Sequence, residues 1–167
     1  MNRAICTFLL ASAATLSDAS GLAAQTTTGK ACGLVTEPEI QSVLGEKVAL
    51  KSGAIGDVQT CSGEAPAAAM TIRLFKRTGD PSGSKEKAGI DAIKKMGAQV
   101  DVKTAEGVTC MTTVPPANLA QYGYGTTCTV TSKAPMFAVI EIKAKAQKDM
   151  VPMDKLRTIA VKMATRF

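Results

Sequence analysis

Along residues 36–44, TEPEIQSVL, apolar side chains fall at Ile40, Val43 and Leu44. That spacing gives a helix one buried face. Thr36 and Glu39 form a capping box, each side chain covering a backbone N–H at the helix start, and Gly45 supplies the stop. Pro38 is tolerated in the first turn, and Glu37 and Glu39 suit the positive end of the helix dipole. Strands are predicted near 47–51, 57–62 and 68–76, the last with Met70, Ile72 and Leu74 alternating with Thr71, Arg73 and Phe75. Thr78-Gly-Asp-Pro-Ser-Gly reads as a turn. A second helix follows over 84–96, with Ile90, Ile93 and Met96 facing inward and Lys87 and Asp91 paired at i,i+4.

The second half repeats the logic. QVDVKTAEGVTCMTTV predicts two strands turning near Glu106-Gly107, and GTTCTVTS and PMFAVIEIKAKA predict two more joined near Lys133-Ala134. In the last strand Met136, Ala138, Ile140, Ile142 and Ala144 share one face, with Phe137, Val139, Glu141, Lys143 and Lys145 on the other. The closing segment is helical, capped by Asp154. Leu156, Ile159, Ala160, Met163 and Phe167 make its buried stripe, and Lys155, Lys162 and Arg166 its wet one. Short connections favour antiparallel neighbours. The expected fold class is therefore α+β, a mainly antiparallel sheet of six to seven strands with three helices packed on it.

The first 24 residues change the setting. Arg3 precedes an apolar run of about 13 residues, Ala4 to Leu16, and small residues follow up to Ala24. This is the pattern of a secretory signal peptide, too short for a permanent span. Cleavage is expected after Ala24, with Ala19 as the alternative, leaving one domain over 25–167. The competing reading is a buried N-terminal helix. Gly-Lys-Ala before Cys32 spoils a lipid-anchor box, so a soluble periplasmic or secreted product is expected, without a transmembrane span.

Cleavage removes Cys6 and leaves Cys32, Cys61, Cys110 and Cys128. An even count in an exported chain points to two disulfides with three connectivities open. Zinc is the competitor, but the chain has no CxxC spacing and no histidine. Cys110 and Cys128 sit on adjacent expected strands, so their sulfurs can meet across the ladder. Cys32 and Cys61 then pair by elimination. Between Cys110 and Cys128, VPPANLAQYGYG is too proline-rich to stay in a ladder and must leave the sheet as a loop.

Charge adds a class of partner. The formal net charge is +6, and loss of Arg3 and Asp18 with the signal leaves it unchanged. A basic exported protein favours anionic envelope ligands or acidic proteins. The absence of any run of four basic residues fits simple solubility as well and gives no specific nucleic-acid signature. Lys143, Lys145 and Lys148 are expected to join Lys155, Lys162 and Arg166 on one basic surface. Tyr122 and Tyr124 are the only tyrosines, expected to be exposed on the cross-linked loop, where tyrosines suit recognition.

Most catalytic chemistry has no carrier here. With no histidine, Ser-His-Asp and Cys-His mechanisms are excluded. Ser82-Gly-Ser-Lys85 matches the Ser-x-x-Lys of penicillin-binding enzymes, but their further motifs are missing and a helix cap explains it. Glu37 and Glu39 are accounted for by capping. Met150 and Met153 form a thioether pair suited to cuprous ion, against a plainer role as core filler.

Cys32-Gly-Leu-Val-Thr-Glu-Pro-Glu-Ile with Leu44-Gly45 resembles a group of bacterial exported proteins of uncharacterised function, many lipid-anchored, that open with Cys-x-Leu-Leu-Thr-x-x-Glu and close with a helix. The resemblance implies an α+β envelope domain without known catalysis and supplies no site residues. The expected function is a non-enzymatic binding module of the envelope without cofactor. The alternatives are a secreted enzyme inhibitor working through the 114–125 loop and a methionine-based metal carrier.

Overall fold

In the computed structural model of the chain, residues 30–76, 84–131 and 136–166 are described. The signal segment, the 78–83 turn with its Ser-x-x-Lys serine, the Lys133-Ala134 turn and Phe167 lie outside them. A single 3-10 turn at Cys32–Leu34 leads into helix α1, Glu37–Leu44. Strands β1 (Lys51–Ile55), β2 (Val58–Glu64) and β3 (Ala68–Lys76) follow, then α2 (Ser84–Lys95). Next come β4 (Gln99–Ala105), β5 (Val108–Val114), β6 (Tyr124–Thr131), β7 (Met136–Ala144) and α3 (Met153–Ala164).

All seven strands form one antiparallel sheet in the order β1-β2-β3-β7-β6-β5-β4. Two meanders, β1–β3 and β4–β7, are joined by the pairing of β3 with β7. The fold is α+β, as the hydrophobic pattern indicates. Strand alternation gives the sheet two unlike faces. Met70, Ile72, Leu74, Ala138, Ile140, Ile142, Val108 and Val130 point to one side and are buried. Helix α3 lies over β5 and β6 on that side and also contacts α1. Its Leu156, Ile159, Ala160 and Met163 complete the core.

Both disulfides are buried in this sealed face. Cys32–Cys61 ties the 3-10 turn to β2, with Cα atoms 4.9 Å apart. Cys110–Cys128 joins directly opposed residues of β5 and β6 at a Cα separation of 4.0 Å. The one buried polar residue among the described residues, Thr126, donates its Oγ1–H to the Val151 carbonyl at 2.7 Å. That bond fixes the approach to α3 and leaves no hydroxyl unsatisfied in the core.

Four local expectations change. Residues 47–50 are not strand, and β1 begins at Lys51. A Cβ on Gly63 would lie 2.5 Å from Val48 Cγ1, so Val48 occupies the space that Gly63 leaves and packs into the core as loop. Asp154 does not cap α3. It falls inside the first turn, 3.3 Å from Arg157, and Pro152 takes the cap position. Helix α2 does not add to the core: it touches β4 on the opposite side of the sheet, and Met96 is 59 % exposed. Lys87 and Asp91, both exposed, form no ion pair among the described residues.

The capping box forms as written in the sequence, and Glu39 does more than cap. Arg166, beyond the end of α3, donates to both Glu39 oxygens at 2.7 and 2.8 Å and to the Leu34 carbonyl at 2.8 Å. Lys162 stands 3.6 Å away. This fork closes the last helix onto the first. The Arg166 hydrogen bond is the main cause that lowers the Glu39 carboxyl from 4.5 to about 2, and the Thr36 bonds add to it against partial burial.

Two outcomes follow from these links. Replacing Cys110 and Cys128 together by serine costs about 3 kcal/mol in urea unfolding, and replacing Cys32 and Cys61 costs slightly more because the loop is longer. The Glu39 contribution is complete above its unfolded pKa of about 4.5 and is lost as pH falls through about 2. Glu39→Gln therefore lowers stability at pH 6 by about 1–2 kcal/mol. Its unfolding midpoint falls less than that of the unaltered protein between pH 4.5 and pH 2.

Candidate functional site

The face of the sheet opposite the core carries the candidate site. Register sets its rows. Val100, Thr113, Gly125, Lys143 and Ala69 run across β4, β5, β6, β7 and β3. The next row is Val102, Met111, Thr127, Glu141 and Thr71. Small residues at Gly125 and Ala69 keep the first row low, so the surface dips there.

The chain between β5 and β6 walls the dip. Pro115 and Pro116 end the ladder, a 3-10 helix covers Ala117–Tyr122, and Gly123 returns the chain to β6. Gly123 has φ +83°, and a Cβ there would stand 3.1 Å from the Ala144 carbonyl oxygen. Only glycine serves at that corner without strain. A Cβ added at Gly97 would stand 3.8 Å from Pro116, so the strap passes close to the exit of α2.

Helix α2, the strap and the sheet enclose a groove of about 420 Å³. Its apolar surface comes from Ile93 and Met96 of α2, Met111 of β5, and Pro116 and Leu119 of the strap. Tyr122 closes one side and is 67 % exposed. A second hollow of about 440 Å³ lies beyond Tyr122, bounded by Ala69, Ala120, Glu64 and Lys145. The two share Tyr122, Gly123 and Lys143. Volumes of this size suit small molecules or a single anchoring side-chain cluster.

Charge enters at one end only. Glu141 takes a 2.9 Å hydrogen bond from Arg73 and stands 3.5 Å from Lys143. Two cations thus flank one carboxylate, and Lys143, whose side chain is 56 % exposed, borders the groove. Beside it, Phe75 and Phe137 stack at 4.7 Å and cover the far end of β3 and β7. Among the described residues no cluster of three or more acidic or cysteine side chains has metal-site geometry. Met153 is buried with its sulfur 3.8 Å from Arg157 Nη2, and a guanidinium at that distance opposes a bound cation.

The residues singled out in the sequence separate in space. Tyr122 and Lys143 meet at the groove, and Lys145 lines the adjoining hollow. Tyr124 does not join Tyr122: it has the parity of Thr126 and Cys128 and packs half-buried against the core. Lys155, Lys162 and Arg166 stand on or just beyond α3, against the opposite face of the sheet. Lys162 and Arg166 are engaged by Glu39, so no continuous basic surface links them to Lys143. Cys32, Cys61, Cys110 and Cys128 are buried cross-links with no access to solvent.

Met96, Met111, Leu119 and Gly125 were absent from the sequence-based set. The available signal was alternation: with Cys110 and Cys128 turned inward, Met111 and Thr127 must turn outward. No family model, curated protein or solved structure matches the chain.

Gly123→Ala is expected to destabilise by about 1–3 kcal/mol and to displace the strap. Gly89→Ala, on the exposed side of α2 with nothing within 4 Å of the added methyl, stabilises by about 0.5–1 kcal/mol. Urea unfolding of the two variants checks the contrast.

Proposed function

We propose that the protein is an exported, non-enzymatic binding module that works in an oxidising compartment, periplasmic or secreted, and engages its partner through the groove walled by α2 and the Pro115–Gly123 strap. The carrying observation is the groove itself: a concave, largely apolar hollow with Met96 and Tyr122 exposed at its rim. Large exposed apolar side chains gathered in one concavity mark an interaction site rather than scattered surface. Two buried disulfides support the oxidising setting.

Rigidity fits recognition. The strap is anchored at both ends in strands that a disulfide joins, so little ordering is needed when a partner binds. The lining offers threonines, one tyrosine, and a carboxylate, Glu141, held between Arg73 and Lys143. Binding is the chemistry these groups support.

The test uses the full chain exported from a bacterial host and purified with whatever accompanies it, protein or small molecule. Gly125→Val fills the groove floor: the position has room for a Cβ, 3.9 Å from Thr113 Cβ, and a β-branched residue suits a strand. The unaltered protein and Lys155→Ala retain the accompanying material, and Gly125→Val loses it. Equal retention by all three, with the Gly125→Val protein folded, rules the groove out.

A further inference from the structure

We infer that the groove takes a single-chain anionic amphiphile, with its hydrocarbon chain between α2 and the sheet and its head beside Lys143 and Lys145. The inference rests on the groove being the binding site. Three observations narrow the ligand to this class.

The first is the distribution of polarity. Ile93, Met96, Met111, Pro116 and Leu119 gather at the α2 end, while Lys143 and Lys145 stand at the other. Glu141 is flanked by Arg73 and Lys143, which leaves this end with positive charge in excess. Glu64 borders the outer hollow, yet Arg73, Lys143 and Lys145 still outnumber the two carboxylates. An apolar trough with one cationic end complements a chain with one anionic end.

The second is the state of the backbone. The groove floor is the flat of β5, β6 and β7, whose ladders are paired on both sides. An extended peptide brings a polar N–H and C=O at every residue, and this floor has no strand edge to receive them. A hydrocarbon chain makes no such demand.

The third is the lining chemistry. Two methionines line the trough, Met96 from the end of α2 and Met111 from β5. Their flexible thioethers adapt to chains of differing length and curvature. Lysine heads act as point charges and take carboxylate or phosphate without demanding one geometry. The volume of about 420 Å³ matches one chain of moderate length rather than the paired chains of a bilayer lipid.

The test titrates the full exported chain with laurate below its micelle concentration. Dodecyltrimethylammonium and dodecyl maltoside serve as head-group controls and octanoate as the short-chain control. With no tryptophan and only two tyrosines in the chain, tyrosine emission and the methyl NMR signals of Met96 and Met111 report directly. Laurate is expected to bind saturably, at least tenfold tighter than the cationic analogue, with both methionine signals moving. Each methylene removed weakens binding about twofold to fourfold. Lys143→Ala reduces laurate to the affinity of the maltoside, and Gly125→Val weakens all three long chains at least tenfold.

Indifference to head charge, or laurate binding that survives Gly125→Val, overturns the inference. Adsorption to anionic vesicles without binding of free laurate overturns it as well. If no amphiphile binds while Gly125→Val still strips the co-purifying partner, the amphiphile falls and the binding-module reading stands. If Gly125→Val changes neither result, both fall.

Discussion

The facing pair Cys110–Cys128 sets the register on which the rest of the structure depends. In a strand a slip of one residue exchanges the two faces. With the two sulfurs bonded across β5 and β6, such a slip is blocked, and every neighbour's side is decided. Val108 and Val130 go to the core. Met111, Thr113 and Thr127 go to the open face and become the groove floor. A covalent bond buried among aliphatic side chains thus positions residues that it never touches.

The second constraint closes the molecule rather than the sheet. The core is almost wholly aliphatic, and the described part contains one aromatic stack, on the open face. Cys32–Cys61 and the Glu39–Arg166 fork tie the first helical segment to β2 and to the end of α3. The disulfide lies within the core cluster, and the fork holds the end of α3 against α1. Sealing one face so firmly leaves the other free to stay open without loss of the fold.

Much of this was legible in the residues. The Thr36–Glu39 box, the alternation in β3 and β7 and the α3 stripe follow from local periodicity, which needs no knowledge of partners. The β3–β7 seam was not legible, because turns specify only the pairing of consecutive strands. Nor was the side taken by α2: Ile90, Ile93 and Met96 define an apolar stripe but not the surface it meets. Tyr122 and Tyr124 show the limit most plainly. Two residues apart, they would share a face in a continuous strand, but the positive φ of Gly123 breaks the alternation and sends them to different environments. Arg166 reads as a solvated charge until the fold brings Glu39, 127 positions earlier, within 2.7 Å.

If these cross-links fix the faces, peptide mapping under non-reducing conditions must recover them as two separate pairs. Cleavage after lysine and arginine leaves Cys110 and Cys128 together in the 104–133 fragment, with Cys32 in 31–47 and Cys61 in 52–73. Fragments 31–47 and 52–73 are expected joined to each other, with 104–133 internally bonded and no free thiol at any of the four positions. A link between 104–133 and either of the other fragments, or alkylation of any of those cysteines without reduction, contradicts this pairing.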